Sequence, residues 1–161
     1  MQNELDNTDI DLLGLLQEGS GLTNAELGQR VGLSAPATHA RVRRLQQQGL
    51  VRANVALLDH EKLGLDLVCF VQITLRLHSS ELVADFRRQV AAVPEVLECH
   101  HLTGEFDYLV KVIVPNRHAL EHLVVNILTP LPGVERICTS LVLSEVKNSH
   151  QLPLAHLRPA P

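Results

Sequence analysis

The chain has 161 residues, of which 45% are hydrophobic and 20% charged, and its formal net charge is −4. This composition is typical of a globular protein with one or two small domains. It excludes a uniformly basic nucleic-acid-binding protein but allows a local basic surface. One tyrosine, three phenylalanines and no tryptophan are too few for the aromatic platforms that bind single-stranded nucleic acid, so leucine and valine must supply most of the core.

The first 52 residues have the periodicity of α-helices. Apolar residues between Leu5 and Leu16 form a wide stripe, which predicts a first helix that ends at a Gly-Ser-Gly sequence. Thr23–Glu26 has the sequence of a capping box, in which the first and last side chains accept hydrogen bonds from each other's backbone amides. It therefore predicts the start of a second helix, which runs to about Val31.

A third helix is predicted after a sharp turn at Gly32. Ser34 caps this helix, Pro36 lies in its first turn, where no amide hydrogen bond is lost, and Gly49 ends it. Two short helices that meet at a tight glycine turn form a helix-turn-helix, whose second helix enters the major groove of DNA. Gly28 is small enough to let the two helices cross closely.

The charge of this third helix favours contact with double-stranded DNA. Four arginines and no acidic residue lie between Ser34 and Arg52, whereas the first 33 residues carry six acids and Arg30. Arginines displace counterions from DNA phosphates, and the free amides at a helix start bind phosphate. A solvated helix face is the alternative for an isolated basic helix, and His39 is equally compatible with contact to water alone. The predicted DNA contacts are Ser34, Pro36, His39, Arg41, Arg43 and Arg44.

From Leu67 to Lys147 the apolar period changes from helical to alternating. Helices that begin at Ser79-Ser80 and at Asn116 lie between strands predicted at residues 67–77, 95–103, 106–114 and 134–146. The order βαββαβ is that of the ferredoxin-like fold.

The predicted fold class is therefore α+β, with four segments. They are a winged-helix-like helix-turn-helix domain (1–52), a β connector or linker (53–66), a ferredoxin-like βαββαβ domain (67–147) and a tail (148–161). Within this scheme, residues 50–58 look extended and are expected to form a short β wing. The tail has three prolines and no periodicity, and we expect it to be loose.

The cysteines and the N-terminus indicate the compartment. Cys69, Cys99 and Cys138 form no C-x-x-C pair and lie in apolar runs, so we expect buried, reduced thiols. Residues 1–4 lack the features of a secretory signal, and no apolar run reaches the roughly 20 residues of a membrane span. A cytoplasmic protein that has no membrane contact is expected.

Five sequence motifs resemble those of one protein family. They are Leu5-Asp6-x-x-Asp9, NAELGQRVGLS at 24–34, RVRRLQQQGLV at 41–51, ECHHLTGEFDYLVKV at 98–112 and LPGVERICTSLVLSEVK at 131–147. Together they resemble the Lrp/AsnC, or leucine-responsive, transcriptional regulators over residues 5–150. One departure is Ala35, which follows Ser34 where family members usually have proline.

The resemblance implies a regulator whose DNA binding or assembly is modulated by a small effector, typically an amino acid. It implies dimers whose sheets pack together and that often assemble into tetramers or octamers. It also implies that the effector binds between subunits near the loop from Gly104 to Asp107.

The residues of this loop suit an amino acid. Gly104 permits a tight loop whose amides can bind a carboxylate, and Asp107 can pair with an ammonium group. An ordinary hairpin turn with a solvated acid is the alternative. The predicted effector contacts are His101, Leu102, Thr103, Gly104 and Asp107 of the strand and loop, and Thr139 and Ser140 of the facing strand. Some relatives carry an aromatic residue where Ser140 stands.

Three other functions compete with this interpretation. His100-His101 could serve an enzyme, because some siroheme decarboxylases resemble the family, but no nucleophile–base pair or glycine-rich phosphate loop accompanies them and the basic helix is intact. His118 and His122 have the spacing of two metal ligands, but no third ligand is evident. A sensor without DNA binding would lack residues 1–52. We therefore expect neither an enzyme nor a bound metal or cofactor.

Overall fold

A computed structural model describes residues 5–19, 21–76 and 79–158. The predictions for residues 1–4, for Ser20 and for the end of the first strand at Leu77 lie outside these ranges. The chain divides into two compact units, one formed by Leu58–Val146 and the other by the chain before and after it. None of the helices in the described ranges is long and apolar enough to cross a membrane.

Three helices form the N-terminal unit: α1 (Asn7–Glu18), α2 (Asn24–Val31) and α3 (Ala35–Gln47). The predicted capping box at Thr23 and Glu26 is confirmed, and α1 has a second one formed by Asp6 and Asp9. These caps satisfy backbone amides that have no partner inside a helix. The core of the unit consists of Leu12, Leu13, Leu27, Val42 and Leu45.

The predicted close crossing of α2 and α3 at Gly28 is confirmed. A Cβ atom at this position would lie 2.5 Å from the carbonyl oxygen of Leu33 and 2.7 Å from Oγ1 of Thr38. Gly32, with φ of 72°, makes the left-handed turn between the helices. Gly28 therefore allows the close spacing of the two helices, and Gly32 allows the turn between them.

Two predictions for the segments beside this unit differ from the structure. Residues 50–58 form no strand, because no other strand of the described chain offers them hydrogen bonds. The tail is not loose up to residue 158, because it packs against α1. The Gln17 side chain accepts a hydrogen bond from the Leu152 amide at 2.6 Å, Arg158 pairs with Asp11 at 2.5 Å, and Leu154 packs on the helical core.

The second unit is a four-stranded antiparallel sheet with helices on one side. Its strands are β1 (Leu67–Leu75), β2 (Val96–His101), β3 (Tyr108–Val114) and β4 (Val134–Leu141), in the order β2-β3-β1-β4. Its helices are α4 (Ser80–Val90) and α5 (Arg117–His122), which continues as a π-helical turn over Leu123–Leu128. The predicted ferredoxin-like βαββαβ fold is confirmed, although β4 ends at Leu141 and not at residue 146.

The alternation of side chains gives the sheet two different faces. Cys69, Val71 and Ile73 of β1 are fully buried against the helices. The opposite face, which we call the open face, carries half-buried and exposed residues of β1, β3 and β4. From the strand register these are Phe70, Gln72, Leu109, Lys111, Cys138 and Ser140.

The cysteines are not all buried as predicted. Cys69 is buried, and burial raises the pKa of its thiol, but Cys99 and Cys138 are exposed in this single chain. Both exposed residues lie on the edge strands β2 and β4, where an apolar sequence does not guarantee cover from a neighbouring strand.

Candidate DNA-recognition helix and effector loop

One side of α3 is exposed along its whole length. Successive residues of an α-helix turn by about 100°, so positions three, four and seven apart share a face. Thr38, Val42 and Leu45 form the buried side. The opposite side, which we call the reading stripe, is exposed and consists of Pro36, Ala40, Arg43 and Gln47, with His39 at its border.

The structure separates the three arginines that the sequence analysis treated alike. Nη1 of Arg41 lies 2.6 Å from an Asp6 carboxylate oxygen and 2.9 Å from one of Asp9, and Nη2 of Arg44 lies 2.5 Å from the other oxygen of Asp9. The hydrogen bonds that Arg41 donates to Asp6 and then to Asp9 raise the pKa of Arg41, and the one that Asp6 accepts from Arg41 lowers the pKa of Asp6. Arg43 has no ion pair or hydrogen bond with another described residue.

The start of α3 offers groups that can bind a phosphate. The Ser34 hydroxyl oxygen accepts a hydrogen bond from the Ala37 amide at 3.4 Å, which leaves the hydroxyl proton available to an acceptor. Thr38 is buried and donates to the Ser34 carbonyl at 3.0 Å. His39 is exposed, with its Nδ1 atom 3.2 Å from the Asn24 side-chain nitrogen.

Ala40 and Gln47 were missed because the sequence analysis selected residues by charge. Their spacing from Pro36, four and eleven residues, was sufficient to place them on the same face. A small side chain at Ala40 leaves room for a base edge or a thymine methyl group beside Arg43.

The predicted effector loop is fastened at both ends. The Leu102 amide donates to the Asp107 carbonyl at 2.8 Å, and the Asp107 amide donates to the Ile73 carbonyl at 3.0 Å. An Asp107 carboxylate oxygen also accepts from the Leu75 amide at 2.7 Å. Within the described chain, the amides from Thr103 to Phe106 make no such hydrogen bonds. Gly104 has a positive φ of 125°.

His101 lies beside this loop in a cluster of its own. Its ring stacks on Tyr108 with centroids 4.9 Å apart, and its Nδ1 atom lies 3.2 Å from a guanidinium nitrogen of Arg87. Arg87 also donates to the Tyr108 hydroxyl at 3.0 Å. The His101 ring is thus held on the helix side of β2, at one wall of the loop.

The structure does not bring Thr139 and Ser140 to this loop. They lie on β4, and β3 and β1 separate β4 from β2. Thr139 pairs with Val71 on the helix side, whereas Ser140 pairs with Phe70 on the open face. Because β4 joins the far edge of the sheet, Thr139 and Ser140 do not face the loop of their own chain, and their contact with an effector between subunits stays a prediction.

Arg136 is the β4 residue that does reach the loop. Its Nη2 atom lies 3.0 Å from a Glu105 carboxylate oxygen, and its guanidinium carbon lies 5.0 Å from the centre of the Phe106 ring. Sequence reasoning missed it because a single arginine in a strand carries no spacing signal. Elsewhere, no group of three or more metal-ligating side chains occurs in the described ranges, so His118 and His122 stand without a third ligand there.

Comparison with known proteins covers both units. The family described as "Lrp/AsnC ligand binding domain" matches residues 68–152, and "Winged helix-turn-helix DNA-binding" matches residues 5–52. The leucine-responsive regulatory protein of Escherichia coli strain K12 is 40% identical over 149 residues, which cover 92% of this chain and 91% of that protein.

Solved structures give the same result. A transcriptional regulator of Neisseria meningitidis, solved as a complex with L-Met, is 40% identical with a TM-score of 0.92 and covers 96% of this chain and 99% of its own. AsnC of E. coli is 26% identical with a TM-score of 0.84, with 92% and 99% covered. The fold and the family matches are those of an effector-modulated, DNA-binding transcriptional regulator, and the family consists of regulators and not of enzymes. The chain belongs to the Lrp/AsnC family.

Proposed function

We propose that this regulator reads double-stranded DNA through the reading stripe of α3 and that an amino acid at the effector loop changes this reading. The observation that carries the proposal is the position of Arg43. It is exposed at the centre of the stripe and has no partner in the described chain, while Arg41 and Arg44 are held by α1. A guanidinium in this position can donate two parallel hydrogen bonds to the edge of a guanine.

The other predicted DNA contacts divide by chemistry. Ser34 and the first amides of α3 position the helix by binding a phosphate, and Pro36 contacts the sugar or base surface beside them. His39 donates through Nε2, because its Nδ1 atom faces Asn24. Arg41 and Arg44 support the helix from behind through their ion pairs with Asp6 and Asp9, and we do not expect them to bind phosphates while these ion pairs are intact.

One recognition helix covers only a few base pairs, so useful specificity requires at least two copies. The open face of the sheet is the proposed contact between copies. It carries Phe70 and Leu109 at its centre and Lys111 beside them, and the helices of its own chain leave it uncovered. We infer a dimer through this face, which assembles further into a tetramer or octamer.

We expect light scattering at micromolar concentration to give at least twice the chain mass of 17.8 kDa. Phe70→Glu should weaken the assembly at least tenfold, because a carboxylate buried at the contact loses its hydration and the neighbouring Lys111 is already paired with Glu98. Val125→Glu is the matched control, since Val125 is an exposed apolar residue of the π-helical turn on the helix side of the sheet. A monomeric wild type, or equal effects of the two variants, would contradict the proposed contact.

The loop suits the two charges of an amino acid. Its amides from Thr103 to Phe106 are available to the carboxylate, and Asp107 carries the negative charge for the ammonium group, since each carboxylate oxygen accepts more than one hydrogen bond. His101, Leu102 and Thr103 line the side-chain pocket. The complex of the Neisseria relative with L-Met and the name of the E. coli relative support an amino-acid ligand.

The β4 residues of this site come from a second copy. Thr139 and Ser140 are remote from the loop of their own chain, and they point to opposite faces of the sheet. Ser140 lies on the open face and can therefore face the loop of a partner, whereas Thr139 contributes only at the strand edge. Effector binding and assembly are thereby coupled.

Thermal shift of the full chain against the twenty amino acids should identify a ligand, and this ligand should change the Kd for a duplex from the protein's own upstream region. Asp107→Asn should lower the affinity for this ligand about tenfold or more, because hydrogen bonds to ionised groups contribute about 1.5–3 kcal/mol to binding. The variant keeps an oxygen for the Leu75 amide, so its fold is retained. Asp66→Asn, an exposed acid of the same unit, is the matched control.

Calorimetry on these proteins and on a further variant, Asp107→Ala, separates the two roles of Asp107. If Asp107→Asn binds the ligand as tightly as the wild type while Asp107→Ala does not, Asp107 only anchors the loop and the ammonium group pairs elsewhere. If no amino acid shifts the melting temperature or the Kd for DNA, the effector part of the proposal is wrong.

A further inference from the structure

Asp9 of α1 is a buried acid of the N-terminal unit that has no part in DNA binding by the reading stripe. Asp9 has only 1% of its surface exposed. One oxygen of its carboxylate accepts from Arg41 at 2.9 Å and the other from Arg44 at 2.5 Å, and the Asp6 amide lies 3.3 Å from it. Both arginines belong to α3, whereas both acids belong to the start of α1.

This pairing crosses from α1 to the recognition helix. The Asp9–Arg44 contact joins residues 35 apart in the sequence, so it fixes how α3 is rotated about its axis relative to α1. Arg41 and Arg44 are turned toward α1, and Arg43, between them in sequence, is turned outward. The rotation of α3 that brings Arg41 and Arg44 to Asp9 is thus the same rotation that turns the reading stripe away from α1 and toward solvent.

The Asp9 carboxylate also pairs with two guanidinium groups, those of Arg41 and Arg44. Arg44 remains about half exposed and would otherwise be free to reach a DNA phosphate from the flank of α3. A DNA phosphate is present at every sequence, and in a non-specific complex no base contact fixes α3, so the helix can turn a free cation toward a phosphate. In the specific complex the base contacts fix α3 with Arg44 turned toward α1, so a free Arg44 gains less there. A cation that is withheld from phosphate therefore lowers non-specific binding more than it lowers specific binding.

We propose that Asp9 is a specificity-determining residue, which holds Arg41 and Arg44 away from DNA phosphates and orients the reading stripe toward the bases. The inference rests on the proposed reading of DNA by α3. Asp9 itself contacts no DNA and acts through the two arginines.

The test compares Asp9→Asn and the wild type in full-length protein. Fluorescence anisotropy between about 50 and 200 mM salt, the range over which phosphate contacts change affinity strongly, gives Kd for two duplexes. One carries the site that the wild type protects in its own upstream region, and the other is a shuffled sequence of equal length.

Asp9→Asn should bind the shuffled duplex severalfold more tightly, with a slope of log K against log salt steeper by about 0.9 for each phosphate newly contacted. The ratio of specific to non-specific affinity should fall. Asp11→Asn is the matched control: it removes the same charge from the same helix, but its partner is Arg158 of the tail. Its slope and its affinity ratio should stay at the wild-type values.

A second pair of variants tests the route through Arg44. Arg44→Gln alone should leave the salt slope unchanged, because the wild-type Arg44 is held by Asp9. Combined with Asp9→Asn, it should restore the wild-type slope, because Asp6 still holds Arg41 at 2.6 Å in the double variant. A merely structural role of Asp9 would instead lower the melting temperature and weaken both duplexes equally, with no change in slope.

The inference is overturned if Asp9→Asn keeps the wild-type slope and affinity ratio, or if Arg44→Gln by itself reduces the slope. If Asp9→Asn does not fold, the salt slope of Arg44→Gln alone tests the inference: an unchanged slope supports it, and a reduced slope contradicts it. The proposal that α3 reads DNA through the reading stripe is tested separately. If that proposal is wrong, Arg43→Ala will bind the specific duplex as tightly as the wild type does.

Discussion

Replacement of Arg43 by alanine should lower the affinity of the assembled regulator for its DNA site about a hundredfold or more. A bidentate contact between arginine and a base contributes about 1–3 kcal/mol of discrimination, and a dimer carries two copies of Arg43. The side chain is exposed at the centre of the reading stripe and supports no other described residue, so the fold should be unaffected. Anisotropy with the specific and the shuffled duplex measures the loss.

Arg43→Lys separates the recognition of a base from the recognition of a phosphate. Lysine keeps the charge but not the planar pair of donors, so the variant should keep the salt slope and the non-specific affinity while it loses much of the specific affinity. Arg117→Ala, an exposed arginine of the other unit, controls for the loss of charge. If Arg43→Lys binds the specific duplex as the wild type does, Arg43 contacts a phosphate and the bases are read by other residues of the stripe.

The elements that sequence analysis predicted well are those with local signals. The capping box at Thr23, the turn at Gly32 and the cap at Ser34 each depend on residues within four positions of one another. The strands of the C-terminal domain were recognised from alternation, and the helix signals between them gave the βαββαβ order along the chain. The ends of the strands were predicted less well, because residues 143–146 continue an apolar pattern beyond the last hydrogen bond to β1, which the Val142 amide donates to the Val68 carbonyl at 2.9 Å.

The sites were harder to predict because they depend on long-range contacts. The Leu5-Asp6-x-x-Asp9 motif was noticed, but nothing local indicates that its acids bind Arg41 and Arg44, which lie more than 30 residues away. The position of Thr139 and Ser140 at the far edge of the sheet requires the strand order as well as the strands. The docking of the tail depends on a few contacts, such as that of Gln17 with Leu152, which have no periodicity.

The close helix crossing that the sequence predicts at Gly28 is present in the structure, and we expect Gly28→Ala to lower the free energy of unfolding. In Gly28→Ala the new methyl group would lie 2.5 Å from the Leu33 carbonyl oxygen and 2.7 Å from Oγ1 of the buried Thr38. Neither atom can easily move: the first belongs to the backbone, and the second is bonded to the Ser34 carbonyl. Overpacking of this kind costs about 1–3 kcal/mol, of which the better helix propensity of alanine offsets up to about 1 kcal/mol.

Gly14→Ala provides a control with the opposite sign. Gly14 lies inside α1, and a Cβ atom there would meet nothing within 4 Å, so alanine should stabilise the helix by about 0.5–1 kcal/mol. The melting temperature, measured by circular dichroism, should therefore fall in Gly28→Ala and rise in Gly14→Ala. The expected shift is about 4–8 °C for each kcal/mol in a unit of this size. Gly28→Ala should also weaken DNA binding, because α3 must shift away from α2 and the reading stripe moves with it. Equal melting temperatures for the two variants would show that the crossing of α2 and α3 adapts to a methyl group.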